Sequence, residues 1–372
     1  MNINIVSGFD PAIQRASGIK SYVLALARQL IKLEQNVTVL GLGSGISEID
    51  GVRFVPVTQN VRNSAFFILA VGRYLSHERS LDGVVHAQRP DDLVPFHLQA
   101  GHLPKVVTLH GVHGVHVAAR RGSVAASVYH LAEHYSLTHT DSILCVSADT
   151  FAHFRSEYPE IVPRLTRMPA GIDMDLFSLH DKSKARERAG LPPNGKTILF
   201  VGRFEPEKNP TVVVEEFLRI REHHADLDLV MVGNGQFGPA LREHAATGQI
   251  GIRILDPMSQ EELTWFLSAA DVLAVASRHE GLPTVALEAL ACGIPVVGTK
   301  VGILPDVVKE GINGYLTDSL NGLGESLERA LYQTDWSQEK CRDSVKQFGW
   351  DSVAPAILEI YRQAVKDSPE GR

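Results

Sequence analysis

Long apolar runs are missing from this chain. None approaches the roughly 18–20 residues that a membrane-spanning helix needs, so no span is expected. The first residues, MNINIVSGFD, lack the charged segment and following apolar stretch of a secretory leader. Cysteine is scarce: Cys145, Cys292 and Cys341 are the full set, far apart and without a C-x-x-C pair. An odd, scattered set behind no leader points to reduced thiols in the cytoplasm. Basic residues are also in the minority, 36 against 43 acidic, for a net charge of -7. That argues against broad binding to nucleic acid or to an anionic membrane, and leaves room for a local basic face. No Walker-type glycine loop or Ser-His-Asp order is present, and RPDDLV is not a D-x-D metal motif.

What the chain does have is length and an ordinary globular balance. Its 372 residues suffice for two or three domains, with 44% hydrophobic and 21% charged. Short apolar runs alternate with helix-length segments: INIVSG, then GIKSYVLALARQLIKLE, then VTVLGLG, and later GVVHAQ, KVVTLHG and SILCVSA. Such runs fit parallel strands buried on both faces, joined by right-handed βαβ units. After PAGIDMDLF and the polar connector SLHDKSKARERAGLPPNGK the pattern restarts with TILFVGR, LDLVMVGNG, IRILD, DVLAVAS, IPVVGT and NGYLTD. The expected architecture is α/β, two Rossmann-like doubly wound domains facing a central cleft. Residues 1–180 form the first domain and 181–345 the second. Residues 346–372 are read as an amphipathic C-terminal helix, able to pack back on the first domain, with a disordered tail.

Ligands of doubly wound sheets bind beyond the carboxyl ends of the strands. The stretch SRHEGLPTVALEALACGIPVV, Ser277–Val297, begins at such an end. Glu280 lies in its loop, and Gly281 would let backbone approach a ligand. Pro283 suits the first helical position, and Gly293 reads as the helix stop. The amides of Thr284 and Val285 then face outward from a helix N-terminus, as an anion requires. Glu288, over one turn further in, would meet neutral hydroxyls such as a ribose diol. Amides for phosphate, one acid for ribose and one for a second sugar describe a nucleotide-sugar. Taken alone, two glutamates at this spacing read first as a solvated helix residue and a loop acid, since such pairs are common.

The surrounding residues decide. EGLPTVALEALACGIPVVGTKVGILPDVV with EGINGYL resembles the signature of the retaining family-4 glycosyltransferases of the GT-B fold, and Glu280 and Glu288 match that family's E-x7-E pair. VGRFEPEKNP, MVGNG, PAGIDMDLF, SGIKSYVLALARQL and VVTLHG are similar to further family landmarks, in the same order.

The resemblance implies transfer of a hexose, with retention, from a nucleotide diphosphate sugar such as a UDP- or GDP-hexose. The acceptor would be a hydroxyl of a glycan, lipid or small molecule. Arg203 and Lys208 would neutralise the diphosphate, with no metal and no other cofactor. Glu288 would hold the ribose, and Glu280 the donor sugar, with Gly281, Leu282, Thr284 and Val285 lining the donor site. Gly18, opening the first helix, would let backbone approach phosphate or sugar. His110 would lie near the reacting centre, through its imidazole or its carbonyl. The nucleobase of the donor is expected near the GNG turn and the Asp256–Ser259 loop. The chain departs from the family at Ser17-Gly18 for two glycines, Lys20 for a glutamate, Gln88 for a second histidine and Ala170 for an asparagine. HGVHGVH spaces His110, His113 and His116 three apart, but a closed zinc site wants a cysteine or a carboxylate as well. Asp91 and Asp92 in RPDDLV read as a helix start. The expected setting is cytoplasmic, with peripheral contact at the inner membrane face compatible and no nucleic-acid partner. A sugar phosphorylase, a nucleotide-sugar epimerase and a non-catalytic nucleotide-sugar-binding protein remain the alternatives.

Overall fold

The apolar runs become strands. In a computed structural model the chain is described over residues 1–12, 18–59, 64–78, 81–246, 251–280 and 283–368, with only the backbone described within 113–123. The first sheet holds β1 (Asn2–Val6), β2 (Asn36–Leu42), β3 (Ser47–Ile49), β4 (Val52–Thr58), β5 (Val84–Ala87), β6 (Lys105–Leu109), β7 (Ser142–Cys145) and β8 (Leu165–Arg167). Its order is β3-β4-β2-β1-β5-β6-β7-β8, parallel except for the β3–β4 pair. The second sheet holds β9 (Lys196–Val201), β10 (Leu227–Val232), β11 (Ile252–Leu255), β12 (Val272–Val275), β13 (Val296–Thr299) and β14 (Gly314–Thr317). It is wholly parallel, in the order β11-β10-β9-β12-β13-β14. The central strands are buried along their length, because helices cover both faces.

Three strands were not anticipated. β3 and β4 form an edge hairpin whose turn residues, Asp50 and Gly51, have φ of 53° and 77°. Asp-Gly is the pair such a turn favours, so EIDGVRF carried the signal. β8 is only three residues long and shows no periodicity. The polar connector contains a helix, Lys182–Arg188, capped where the Asp181 carboxylate accepts from the Lys184 amide at 2.9 Å.

The chain divides into two units, Met1–Gly171 with Trp350–Arg372, and Ile172–Gly349. The C-terminal helix Trp350–Asp367 packs on β5, β6 and the helix Gly18–Lys32. It buries Trp350, Val353, Ile357, Leu358 and Tyr361. A polar chain runs beneath it. His86 on β5 contacts the Tyr361 hydroxyl through Nδ1 at 2.6 Å and the Thr108 hydroxyl through Nε2 at 2.7 Å. Thr108 is in turn hydrogen-bonded to Tyr22. Burial holds the His86 imidazole neutral, pushing it down to about 3.

Strand order reverses beside β1 and β5 in the first sheet and beside β9 and β12 in the second. At such switch points the loops beyond the carboxyl ends diverge and leave room for a ligand. The candidate residues cluster at these loops.

Candidate active site

In the second unit, β9 runs into Gly202–Glu205, a short turn Pro206–Lys208 and the helix Pro210–Arg221. Phe204 is fully buried and fixes this loop to the GNG turn after β10. Its amide donates to the Asn234 carbonyl at 2.8 Å, and its carbonyl accepts from Phe237 at 3.0 Å. A Cβ at Gly235 would stand 2.6 Å from the Phe204 carbonyl oxygen, so only glycine allows this approach. The loop after β12 is tied to the same place. Asn209 Nδ2 donates to the Ala276 carbonyl at 2.7 Å, and the Arg278 amide to the Glu207 carbonyl at 2.8 Å.

Lys208 and Glu280 meet between these loops, the ammonium pairing with Glu280 Oε1. The Ser277 hydroxyl donates to the same oxygen at 3.0 Å, and the Ser277 carbonyl accepts from the Thr299 hydroxyl on β13. Burial, then the neighbouring Arg203, brings the Lys208 ammonium down to about 8 against the opposing pull of Glu207. Arg203 lies on the exposed side of the loop, its Nη2 2.7 Å from Glu207 Oε1. Sequence reasoning assigned nothing to Ser277 and Thr299. A hydroxyl three residues before Glu280 was visible as a candidate partner, whereas Thr299 becomes one only through the pairing of β12 with β13.

The helix Thr284–Ala291 follows, with Pro283 as its N-cap at φ −74° rather than its first helical residue. Thr284 and Val285 form its first turn, where amides have no acceptor within the helix. Glu288 is buried, not solvated. Burial pushes its carboxyl up to about 7 against the lowering effect of a hydrogen bond with Thr284. Gly281 and Leu282 lie outside the described residues.

In the first unit, His110 follows β6 and Gln88 follows the adjacent β5. Their side chains join through His110 Nε2 and Gln88 Oε1 at 2.8 Å. The Tyr22 ring meets His110 edge-on at 4.9 Å. Gly18 begins its helix as expected, next to residues 13–17, which lie outside the described set. Lys20 donates to the Pro11 carbonyl at 3.1 Å. Pro90–Leu93 is a short 3-10 turn, its carboxylates buried against the Arg89 guanidinium. Burial and then Asp92 push Asp91 up to about 7. His113 opens a helix to Thr138, and the side chains of His113 and His116 lie outside the described set. Among the described residues no three His, Cys, Asp or Glu side chains are grouped to hold a metal. Asp256 pairs with Arg242 and Ser259 caps the helix Gln260–Ala269, so both have local structural partners.

Comparison with known proteins agrees on both units. The family model for glycosyl transferases group 1 matches residues 181–347, and that for glycosyltransferase family 4 matches residues 16–176. The D-inositol 3-phosphate glycosyltransferase of Xylanimonas cellulosilytica is 33% identical over 283 residues, covering 69% of this chain and 67% of that one. Curated relatives at 30% identity or more are spanned over about half to two thirds of their own length. The solved sucrose-phosphate synthase of Thermosynechococcus elongatus superposes with a TM-score of 0.82 at 21% identity, over 99% of this chain and 100% of that one. HepE of Anabaena, solved with UDP and glucose, gives 0.71 at 17% identity over 98% of both chains.

Two parallel-sheet α/β units with polar side chains gathered at their switch points define a GT-B glycosyltransferase architecture. Within that class, the chain belongs to glycosyltransferase family 4, whose second half is the group-1 glycosyl transferase unit. No helix among the described residues is long and apolar enough to cross a membrane.

Proposed function

We propose that this glycosyltransferase moves a hexose from UDP- or GDP-hexose to an acceptor hydroxyl, with retention at the anomeric carbon and without a metal. The observation that carries the reading is the pairing of Lys208 with Glu280 beside the N-terminus of Thr284–Ala291, at the switch point of the second sheet. A cation and a carboxylate held together there suit a ligand with phosphate at one end and sugar hydroxyls at the other. The helix amides and Lys208, with Arg203 on the open side, would take the diphosphate as its charge develops. Glu280 would accept from the transferred sugar. Glu288, one turn inside the helix, would accept from the ribose diol. Among the described residues none stands out as a covalent nucleophile, which favours same-face attack with the departing phosphate oxygen taking the acceptor proton. The protein's part is then positioning and charge stabilisation. The relatives' names make inositol 3-phosphate the first acceptor to try. Work in the cytoplasm, with peripheral membrane contact, fits this substrate pair.

Incubation with each nucleotide-hexose and inositol 3-phosphate, read by product NMR, tests the reading. The expected product keeps the donor's anomeric configuration, and turnover survives EDTA. Arg203→Ala and Lys208→Ala should each lower kcat by about 100- to 1,000-fold with little change in melting temperature. Glu288→Ala should weaken nucleotide diphosphate binding in calorimetry, whereas Glu280→Ala should spare it and slow transfer. Inverted product, metal-dependent turnover, or near-normal rates in both cation variants would overturn the reading. Turnover with inorganic phosphate in place of the acceptor would identify a phosphorylase.

A further inference from the structure

A serine sealed at the end of a buried strand has a hydroxyl that must find a partner, and Ser277 gives its hydroxyl to Glu280. Ser277 lies two residues past β12 and is 2% exposed. Its hydroxyl donates to Glu280 Oε1 at 3.0 Å, and its carbonyl accepts from the Thr299 hydroxyl on β13. Register brings Thr299 there. Val275 on β12 lies opposite Gly298 on β13, and a Cβ at Gly298 would stand 2.4 Å from the Val275 carbonyl oxygen, so the two strands close at this point only over a glycine. The Lys208 ammonium pairs with the same Oε1. Each oxygen of a carboxylate accepts about two hydrogen bonds, so these two donors fill Oε1 and leave Oε2 as the oxygen to meet a ligand.

We propose that Ser277 is the positioning residue of Glu280: with Oε1 held by the serine hydroxyl, Oε2 turns toward a hydroxyl of the transferred sugar. A lysine ammonium on its flexible stem is a point charge that sets distance but little direction. A hydroxyl on backbone pinned by Thr299 gives the carboxylate one orientation. The side-chain torsions of Glu280 are then ordered before the donor arrives, so their entropy is not lost at binding. This rests on the reading of Glu280 as the hydrogen-bond acceptor for the transferred sugar, and adds to it which oxygen acts and what fixes it.

The experiment is a double-mutant cycle between Ser277→Ala and Glu280→Ala. Initial rates are taken with the UDP- or GDP-hexose and inositol 3-phosphate of the assay above, and are read as nucleoside diphosphate released, which counts transfer and hydrolysis alike. Calorimetry with the matching nucleoside diphosphate runs beside them. Ser277→Ala should lower kcat about tenfold, through a displaced binding group, at unchanged nucleoside diphosphate affinity. In the Glu280→Ala background the same change should cost less than about twofold, because a residue that acts only through Glu280 has nothing left to position. Thr299→Val frees the Ser277 carbonyl and should show the same pattern at about threefold, and it carries the cycle should Ser277→Ala fail to fold. A normal rate in Ser277→Ala, an equal loss in both backgrounds, or a loss of nucleoside diphosphate affinity would overturn the inference, the equal loss being the mark of a merely structural serine. Normal turnover in Glu280→Ala, or no turnover of any UDP- or GDP-hexose by the unmutated protein, would instead remove the donor-sugar reading of Glu280, and this inference with it.

Discussion

A carboxyl group enclosed by helix and sheet ionises only against the loss of its hydration, and Glu288 is in that position. The shift from 4.5 to about 7 amounts to on the order of 3 kcal/mol. Its sign follows from proton binding. Between those two values the unfolded chain releases the proton while the folded one keeps it, so stability falls as pH rises through about 7 and is then level. Glu288→Gln removes this dependence. Thermal melts should show the variant more stable than the parent at pH 8, with the gain shrinking toward pH 5. Calorimetry should show weaker nucleotide diphosphate binding, though less weakened than in Glu288→Ala. A variant no more stable at pH 8 would mean that the hydrogen bond with Thr284 offsets the burial of the carboxylate. A more stable variant would show that the site holds its acid at the expense of stability, as functional groups often do.

At the scale of elements, the loops after β9, β10 and β12 are stitched to one another largely through backbone groups. The Phe204 amide joins the first two, and the Arg278 amide and the Asn209 side chain join the first and the last. In the first unit the comparable work is done by the buried chain from Tyr361 through His86 and Thr108 to Tyr22. Tyr361→Phe keeps the packing and deletes one hydroxyl, leaving His86 Nδ1 buried without its partner. It should cost about 1–3 kcal/mol in urea denaturation, with the m-value unchanged. A cost near zero would mean that the chain contributes nothing to seating the C-terminal helix. Elements also mark where sequence reasoning ran short. Strands buried on both faces announce themselves as runs such as VVTL and LAVAS. The β3–β4 hairpin was readable from Asp50-Gly51, had turn chemistry been weighed beside periodicity. β8 was not readable, since three residues hold no pattern and its strand character comes from pairing with β7.

For the molecule as a whole, the path of the chain makes a prediction about folding. The second unit is one continuous segment with its own apolar core, from Ile172 to Phe348. The first is completed only when Trp350–Asp367 returns to cover β5 and β6. Residues 172–349 should therefore fold alone, with a cooperative melt by circular dichroism. Residues 1–171 alone should not, because the missing helix buries Trp350, Val353, Ile357, Leu358 and Tyr361 at about 1.5–3 kcal/mol each, comparable to the whole stability of a domain. A cooperative melt of 1–171 would show that the helix is an accessory.

Sequence alone determined the class of fold and the residues worth testing, because apolar periodicity, glycine and proline placement and the E-x7-E spacing are local properties. It did not reveal that Lys208 is paired with Glu280 through loops 72 positions apart in numbering, that Ser277 and Thr299 brace that pair, or that Gln88 meets His110. Nor did it reveal that Glu288 is dehydrated enough to titrate near 7. Those facts depend on strand order and register, which bring distant loops to one sheet edge. They depend also on burial, a property of the packed whole that no single residue carries.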